Sequence, residues 1–196
     1  MLCRTRGTEI ILTSKLITSG VTSGVTLAEA KGWLKVESDD EDTLIQALID
    51  TAFMQVSQYT GRTFQAGAWE TEFDYFPSKL KLDVMPIDIT SIVVSYSDEN
   101  DVDQVLDASE YFVRDPGPDD FATIDFNGTM PNLYNKENAV VVAYDAGYDS
   151  LPAPVKTAIL MQVATMFENR QTEIIGASTT EITNGARSLL FPYKML

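Results

Sequence analysis

The sequence contains no histidine. This absence excludes Ser-His-Asp and Cys-His catalytic arrangements, and zinc sites built from histidine and cysteine, within the chain. Its single cysteine, Cys3, leaves no partner for an intrachain disulfide. It also lacks a Walker-type phosphate loop and the glycine-rich turn of dinucleotide-binding proteins. These absences do not exclude catalysis by carboxylates. We nevertheless predict no catalytic residue, no metal site and no cofactor.

Long hydrophobic runs are missing as well. No stretch approaches the roughly eighteen apolar residues of a membrane span, and no basic segment followed by an apolar one opens the chain. We therefore expect no membrane partner. The 196 residues, 44% of them hydrophobic, suffice for one domain with a real core, or for one domain that carries an insertion.

Basic residues are scarce, and their balance with acidic residues changes along the chain. There are 14 lysines and arginines against 29 aspartates and glutamates, which gives a formal net charge of -15. Residues 69–151 hold 4 basic and 18 acidic residues, a net charge of -14, whereas residues 1–68 carry -2 and residues 152–196 carry +1. Because such an acidic surface repels phosphates, we expect no specific nucleic-acid binding by the middle third.

Two N-terminal capping patterns introduce helices. Thr26 and Glu29 have the spacing of a capping box and predict a short helix near residues 26–36. Ser38 and Glu41 repeat that spacing, and negative charge in the first turn suits the helix dipole.

A long amphipathic helix is predicted over residues 39–60, ending at Gly61. Its apolar residues recur at helical spacing, which predicts one buried face. These residues are Leu44, Ile45, Leu48, Ile49, Ala52, Phe53, Val56 and Tyr59.

From residue 69 the pattern changes to a period of two. Apolar and acidic residues alternate from Trp69 to Tyr75, as expected for a strand with one wet face. Further short patterns, separated by turn-rich segments, predict an antiparallel β-rich insertion. They are KLKLD, SIVVSY, QVLD, YFVR, ATIDF and AVVVAYDA.

The chain returns to helix at Pro152, and the helix predicted over residues 152–170 is apolar on almost every side. Such a helix can be central in a three-helix core covered by a sheet, or it can also contact another subunit. Together the patterns predict an α+β protein, a small helical bundle that carries the β-rich insertion.

Two acidic clusters and one apolar cluster are further candidate sites. DENDVD, residues 98–103, has oxygen donors at calcium-like spacing, but Val102 and the missing glycine favour a hairpin turn. Asp119, Asp120 and Asp125 could act as paired acids of a glycoside hydrolase, although spacing in sequence does not set the carboxyl separation. SLLFPY near the C-terminus can dock into a groove of a partner or fold back on its own core.

Four segments follow one another over roughly residues 21–193: VTLAEAKGWLKVESDDEDTLIQALIDTAFMQVSQYTGRTF, MPIDITSIVVSYSDEND, VVAYDAGYDSLPAPVKTAILMQVATMFENRQ and ARSLLFPY. Their order and spacing resemble those of phage head–tail connector (adaptor) proteins, the type with a β-rich insertion between helices. The stretch MLCRTRGTEIILTSKLITSG departs from that pattern.

The resemblance implies a division of the chain into three parts. Residues 1–25 would be an N-terminal arm, residues 26–68 and 152–196 the helical connector core with its tail, and residues 69–151 the acidic insertion.

The resemblance also implies a structural, non-enzymatic role. About twelve copies would form a ring between the portal and the tail, with a channel through which DNA passes without specific binding. The partners would be other copies of the chain, the portal protein and a tail-side or stopper protein. We expect the protein in the virion neck of a phage or of a domesticated gene-transfer particle, and in the host cytoplasm during assembly.

Two alternative functions stay open from the sequence. They are a carboxylate-dependent hydrolase that uses the acidic region and a monomeric acidic binding module.

Within this resemblance three sets of residues are candidates. The subunit-interface candidates are Val155, Ile159, Val163, Met166 and Arg170. The candidates for docking on the portal or a neighbour are Leu189, Leu190, Phe191, Pro192 and Tyr193. The candidates for channel-facing acids, which would keep DNA from adhering to the wall, are Asp98, Asp101, Asp103, Asp119 and Asp120.

Overall fold

Helices and strands separate into two compact units in the computed structural model. It describes residues 14–19, 24–115, 117, 121–127, 129–169, 173–174, 177–178 and 182–195. The β unit consists of Met1–Gly20 and Ala66–Gly147, and the helical unit consists of Val21–Gln65 and Tyr148–Leu196. The predicted α+β class is confirmed.

The helical unit contains the three predicted helices and one that the sequence did not reveal. The predicted helices are α1 (Leu27–Leu34), α2 (Asp42–Thr60) and α3 (Ala153–Glu168). The additional helix is α4 (Asn184–Leu190), which continues into a 3-10 turn at Phe191–Tyr193. Of the described helices, none is long and apolar enough to cross a membrane.

The first predicted capping box is confirmed. The Thr26 side chain accepts a hydrogen bond from the Glu29 N–H, and the Glu29 carboxylate accepts one from the Thr26 N–H at 2.9 Å. Both bonds satisfy donors that have no partner within the helix.

The second predicted capping box is wrong. Helix α2 begins at Asp42, one turn later than predicted, and Glu41 precedes it without a side-chain cap. The Ser38 hydroxyl instead donates to the Asp40 carboxylate at 2.6 Å, and it accepts from the Asp40 N–H at 3.2 Å. A short serine–aspartate turn therefore competes with the cap. At the other end Gly61 stops the helix as predicted, with a φ of 72°.

The core of the helical unit lies around α3. Apolar side chains of α1, α2, α3 and α4 form one buried cluster, and Gln162 in the middle of α3 is fully buried as well. Its amide donates to the Gln55 side chain on α2 at 2.9 Å, which satisfies a polar group inside the core. Fully buried members of the cluster are Ala30, Ile45, Ile49, Ala52, Val56, Val155, Ala158, Ile159, Val163, Ala186 and Leu190.

Glu29 also connects α1 to α3, because its carboxylate accepts from the Lys156 ammonium at 2.5 Å. That hydrogen bond, together with the bonds from Thr26, lowers the pKa of Glu29 from 4.5 to about 2. Because the folded pKa is depressed, the stabilisation is complete above about pH 4.5 and is lost as the pH falls toward 2.

We expect Glu29→Gln to lower the free energy of unfolding at pH 7 by about 1 kcal/mol or less. The loss is small because solvent screens the carboxylate, whose side chain is 42% exposed. Thermal unfolding of both proteins between pH 7 and pH 3 measures this loss. The difference should shrink steadily below about pH 4.5. A difference that stays constant over this range would assign the effect to packing instead.

Two antiparallel sheets form the β unit. The five-stranded sheet has the order β1 (Lys15–Ser19), β2 (Gly67–Phe73), β8 (Val140–Ala146), β4 (Ile87–Ser97) and β5 (Asp103–Val105). The three-stranded sheet has the order β3 (Lys79–Lys81), β7 (Thr123–Phe126) and β6 (Tyr111–Arg114). Residues of both sheets, among them Phe73, Leu80 and Ile124, share one buried core. A further short pair, β9 (Glu173–Ile174) and β10 (Ala177–Ser178), lies in the helical unit.

The structure departs from the predicted insertion in two places. Lys15–Ser19, which the sequence placed in an N-terminal arm, forms the edge strand β1 and pairs with β2. Tyr75, which continued the alternating pattern, lies beyond the end of β2 and is 51% exposed. The alternation holds for Thr71 and Phe73, which are buried.

Candidate functional site

Several described carboxylates of the β unit are engaged in local contacts. Asp125 accepts from the Arg114 guanidinium at 2.8 Å, on a neighbouring strand. Asp119 and Asp120, its proposed partners in hydrolysis, lie outside the described residues. Within the described ranges no three metal-binding side chains come together.

The acidic segment 98–103 is a hairpin turn between β4 and β5, as the sequence favoured. Asp98 organises it, because its carboxylate accepts from the N–H groups of Asn100 at 2.9 Å and Val102 at 3.1 Å. These backbone hydrogen bonds hold the pKa of Asp98 below its usual value. Asp98 is therefore charged at neutral pH and shapes the loop that carries it.

The other two described candidates for channel-facing acids also have partners. Asp101 has a φ of 59° and pairs with the Lys136 ammonium at 2.6 Å, which raises the pKa of Lys136. Asp103 accepts from the Ser97 hydroxyl at 2.8 Å. All three described acids thus have partners in their own unit, and their orientation toward a channel stays a prediction.

Most interface candidates on α3 are not on the surface. Val155, Ile159 and Val163 are fully buried among the helices of their own unit. They form the core in this structure and have no exposed area for a neighbouring copy, which corrects that part of the predicted interface. Met166 is partly buried against the same core, and Arg170 lies outside the described residues.

The C-terminal cluster is divided between the core and the surface. Leu190 is fully buried, and Leu189 and Tyr193 pack partly buried against the helical core. The Tyr193 carbonyl accepts from the Arg62 guanidinium at 2.7 Å. Leu190 and Tyr193 therefore fold back on their own unit, whereas Phe191 is 72% exposed and Pro192 is exposed too.

An exposed stripe on α2 is a candidate surface that the sequence reasoning missed. It consists of Leu44, Ala47, Thr51, Met54 and Gln58. These residues are separated by three, four, three and four positions, which is the spacing of residues in a helix–helix contact. Met54 is 57% exposed and Leu44 is 38% exposed. The Thr51 hydroxyl donates to the Ala47 carbonyl at 2.7 Å, so that it needs no partner outside the helix. We call this row of five residues the α2 outer stripe.

The signal for this stripe was present in the sequence. The sequence pattern groups Leu44 with the buried residue Ile45. In the structure Leu44 is exposed, and it begins the α2 outer stripe beside the buried face. Trp33 on α1 is 48% exposed and adds to the apolar surface of the helical unit.

Comparison with known families and structures identifies what this fold resembles. Residues 25–100, which include α1, α2 and the strands β2 to β4, match the family model described as "Phage gp6-like head-tail connector protein". No curated protein sequence matches the chain.

Solved structures share the fold over almost the whole chain. A chain in the "Neck of empty GTA particle computed with C6 symmetry" has a TM-score of 0.71 and 16% identity, and the match covers 94% of this chain and 96% of that one. For the "Virion of native gene transfer agent (GTA) particle" the TM-score is 0.68, with 14% identity and coverage of 93% and 95%. For the "Neck of native GTA particle computed with C12 symmetry" the values are 0.64, 14%, 93% and 96%. The predicted resemblance is thus confirmed, since residues 25–100 are similar to phage gp6-like head–tail connector proteins and lie within a fold that also occurs in the necks of GTA particles.

Proposed function

We propose that the protein is a non-enzymatic structural subunit of a head–tail connector, which assembles as a ring in the neck of a tailed phage or a phage-like particle. The observation that carries the proposal is the connector-family match combined with a neck-protein fold over 94% of the chain. Asp98, Asp101, Asp103 and Asp125 each have a local partner, which is consistent with a structural role for these acids.

The α2 outer stripe is the surface that we assign to contact between copies. A closed ring needs two different faces on each subunit, one for each neighbour. Val155, Ile159 and Val163 on α3 are buried and cannot form either face. The α2 outer stripe presents apolar side chains to solvent at contact spacing, and we assign it to one of the two faces. Burying such exposed apolar area is the main driving force of most protein association.

The remaining partners follow from the position of such a ring. The ring contacts the portal on one side and a tail-side or stopper protein on the other, and DNA passes through its channel. About twelve copies would together carry a formal charge of about -180. Carboxylates that line the channel would repel the DNA backbone and let it slide.

The mass of the purified protein, measured by light scattering alone and after mixing with the portal of its own particle, tests the proposal. We expect a closed oligomer, or a monomer that adds to the portal with the symmetry of the portal ring. Oligomerisation only on the portal would reflect weak contacts that the template strengthens by mass action. A protein that stays monomeric and does not bind the portal would contradict the proposal and favour a monomeric binding module.

A further inference from the structure

Both edges of the five-stranded sheet lack a partner strand among the described residues. The order β1-β2-β8-β4-β5 places β1 at one edge and β5 at the other. Edge strands present unpaired N–H and C=O groups, and proteins usually cover such edges, keep them short, or interrupt them with charges, proline or β-bulges. β5 is short, and β1 carries Lys15 and a β-bulge between Leu16 and Thr18. Neither strand contains proline, however, and the described residues of β5 are all exposed.

The hydrogen bonds of the β4–β5 hairpin show which groups of β5 point outward. The Asp98 N–H donates to the Val102 carbonyl, and the Leu106 N–H donates to the Val94 carbonyl. In an antiparallel ladder hydrogen-bonded pairs alternate, so Gln104 faces β4 between these two pairs. The backbone N–H and C=O groups of Asp103 and Val105 are consequently directed toward the open edge.

The two edges match each other in strand direction. Four antiparallel steps separate β1 from β5, so both strands run the same way within one sheet. If one copy is rotated about an axis along the strands, its β1 comes beside the β5 of the next copy in a parallel orientation.

Each edge carries a charged side chain and, two residues later in the sequence, an apolar one. β1 carries Lys15 and, two residues later, Ile17, while β5 carries Asp103 and, two residues later, Val105. Ile17 is 45% exposed and Val105 is 70% exposed, so each edge carries a solvent-exposed apolar side chain. A parallel register that brings Lys15 beside Asp103 joins opposite charges. Ile17 lies in the β-bulge of β1, between Leu16 and Thr18, and comes close to Val105 in this register.

We propose that β5 of one copy pairs in parallel with β1 of the next copy, so that the sheet continues from subunit to subunit. This inference rests on the proposed ring and names a second contact within it. The two edges of one sheet are different surfaces, as a head-to-tail ring requires. Pairing through the backbone would also remove both open edges from solvent, where they otherwise invite aggregation.

Disulfide trapping tests the pairing. In a Cys3→Ser background, Ile17→Cys is combined with Val105→Cys, and the assembled protein is oxidised and separated on denaturing gels without reductant. Within one chain the two positions are four strands apart, roughly 19 Å, which is too far for a disulfide. We expect a ladder of covalent oligomers that collapses on reduction.

The matched control combines Ile17→Cys with Val93→Cys in the same background. Val93 lies on β4 and is 45% exposed, but a neighbouring β1 would be two strands away from it, roughly 10 Å. We expect at least tenfold less covalent dimer from this control. Normal rings without the specific ladder would overturn the edge pairing and leave the proposed function intact. Protein that forms no oligomer, alone or on the portal, would overturn both.

Discussion

Met54→Asp is expected to prevent ring assembly while the protein remains folded. Met54 is the most exposed apolar residue of the α2 outer stripe, so its side chain contributes little to the helical core. In the proposed ring this stripe lies against a different face of the neighbouring copy, and the new carboxylate would be buried in that contact without a cation to pair with. Burying an unpaired charge costs several kcal/mol, and about 3 kcal/mol would weaken each contact roughly 100-fold.

Sedimentation or light scattering of the variant, alone and with the portal, measures this effect. Phe112→Asp is the matched control, because Phe112 is 55% exposed and lies on β6, a strand that is part of neither proposed contact. Circular dichroism should show both variants folded. If Met54→Asp forms rings as readily as Phe112→Asp does, the α2 outer stripe is not part of the subunit contact.

Local signals in the sequence were enough to place the long helices and most strands. The capping box at Thr26, the stop at Gly61 and the period-two alternation around Thr71 each involve atoms within a few residues of one another. Such interactions do not depend on the rest of the chain. The error at Ser38 has the same origin, since a turn closed by Asp40 competes locally with the cap.

The surroundings of α3 could not be predicted in this way. The helix is apolar almost all round because α1, α2 and α4 of its own unit pack against it. Helix α4 carries only Ala186 and Leu190 as fully buried residues, and its seven residues have too weak a pattern to be recognised alone. If α4 is left out, the remaining predicted helices do not bury all of the apolar surface of α3. This is why the sequence pattern favoured a subunit interface on that helix.

The strands at the two edges of the five-stranded sheet could not be predicted from the sequence either. Lys15–Ser19 has no strict alternation, and its pairing with β2 depends on residues about fifty positions away. Strand β5 was recognised as QVLD, yet its place at the far edge follows from the sheet order alone. Non-local pairing therefore decided which surfaces remain open to other copies.

Deletion of residues 188–196 is expected to destabilise the helical unit strongly. The sequence allowed these residues to be a removable docking segment, but Leu190 is fully buried and the N–H of Met195 donates to the Thr60 carbonyl at 2.8 Å. Loss of a buried leucine alone costs about 2–5 kcal/mol. The deletion also removes the Tyr193 carbonyl that accepts from Arg62, and so leaves a buried guanidinium with fewer partners.

Urea unfolding followed by helical circular dichroism gives the stability of the deletion variant and of Phe191→Ser. We expect the deletion to lose about 4 kcal/mol or more, a large fraction of the 5–15 kcal/mol typical of a folded domain. Phe191→Ser should change stability by less than about 0.5 kcal/mol, because Phe191 is 72% exposed. If that variant nevertheless loses portal binding, Phe191 acts in docking while Leu190 holds the core. A deletion that unfolds at the same urea concentration as the intact chain would show that the whole segment is a docking element.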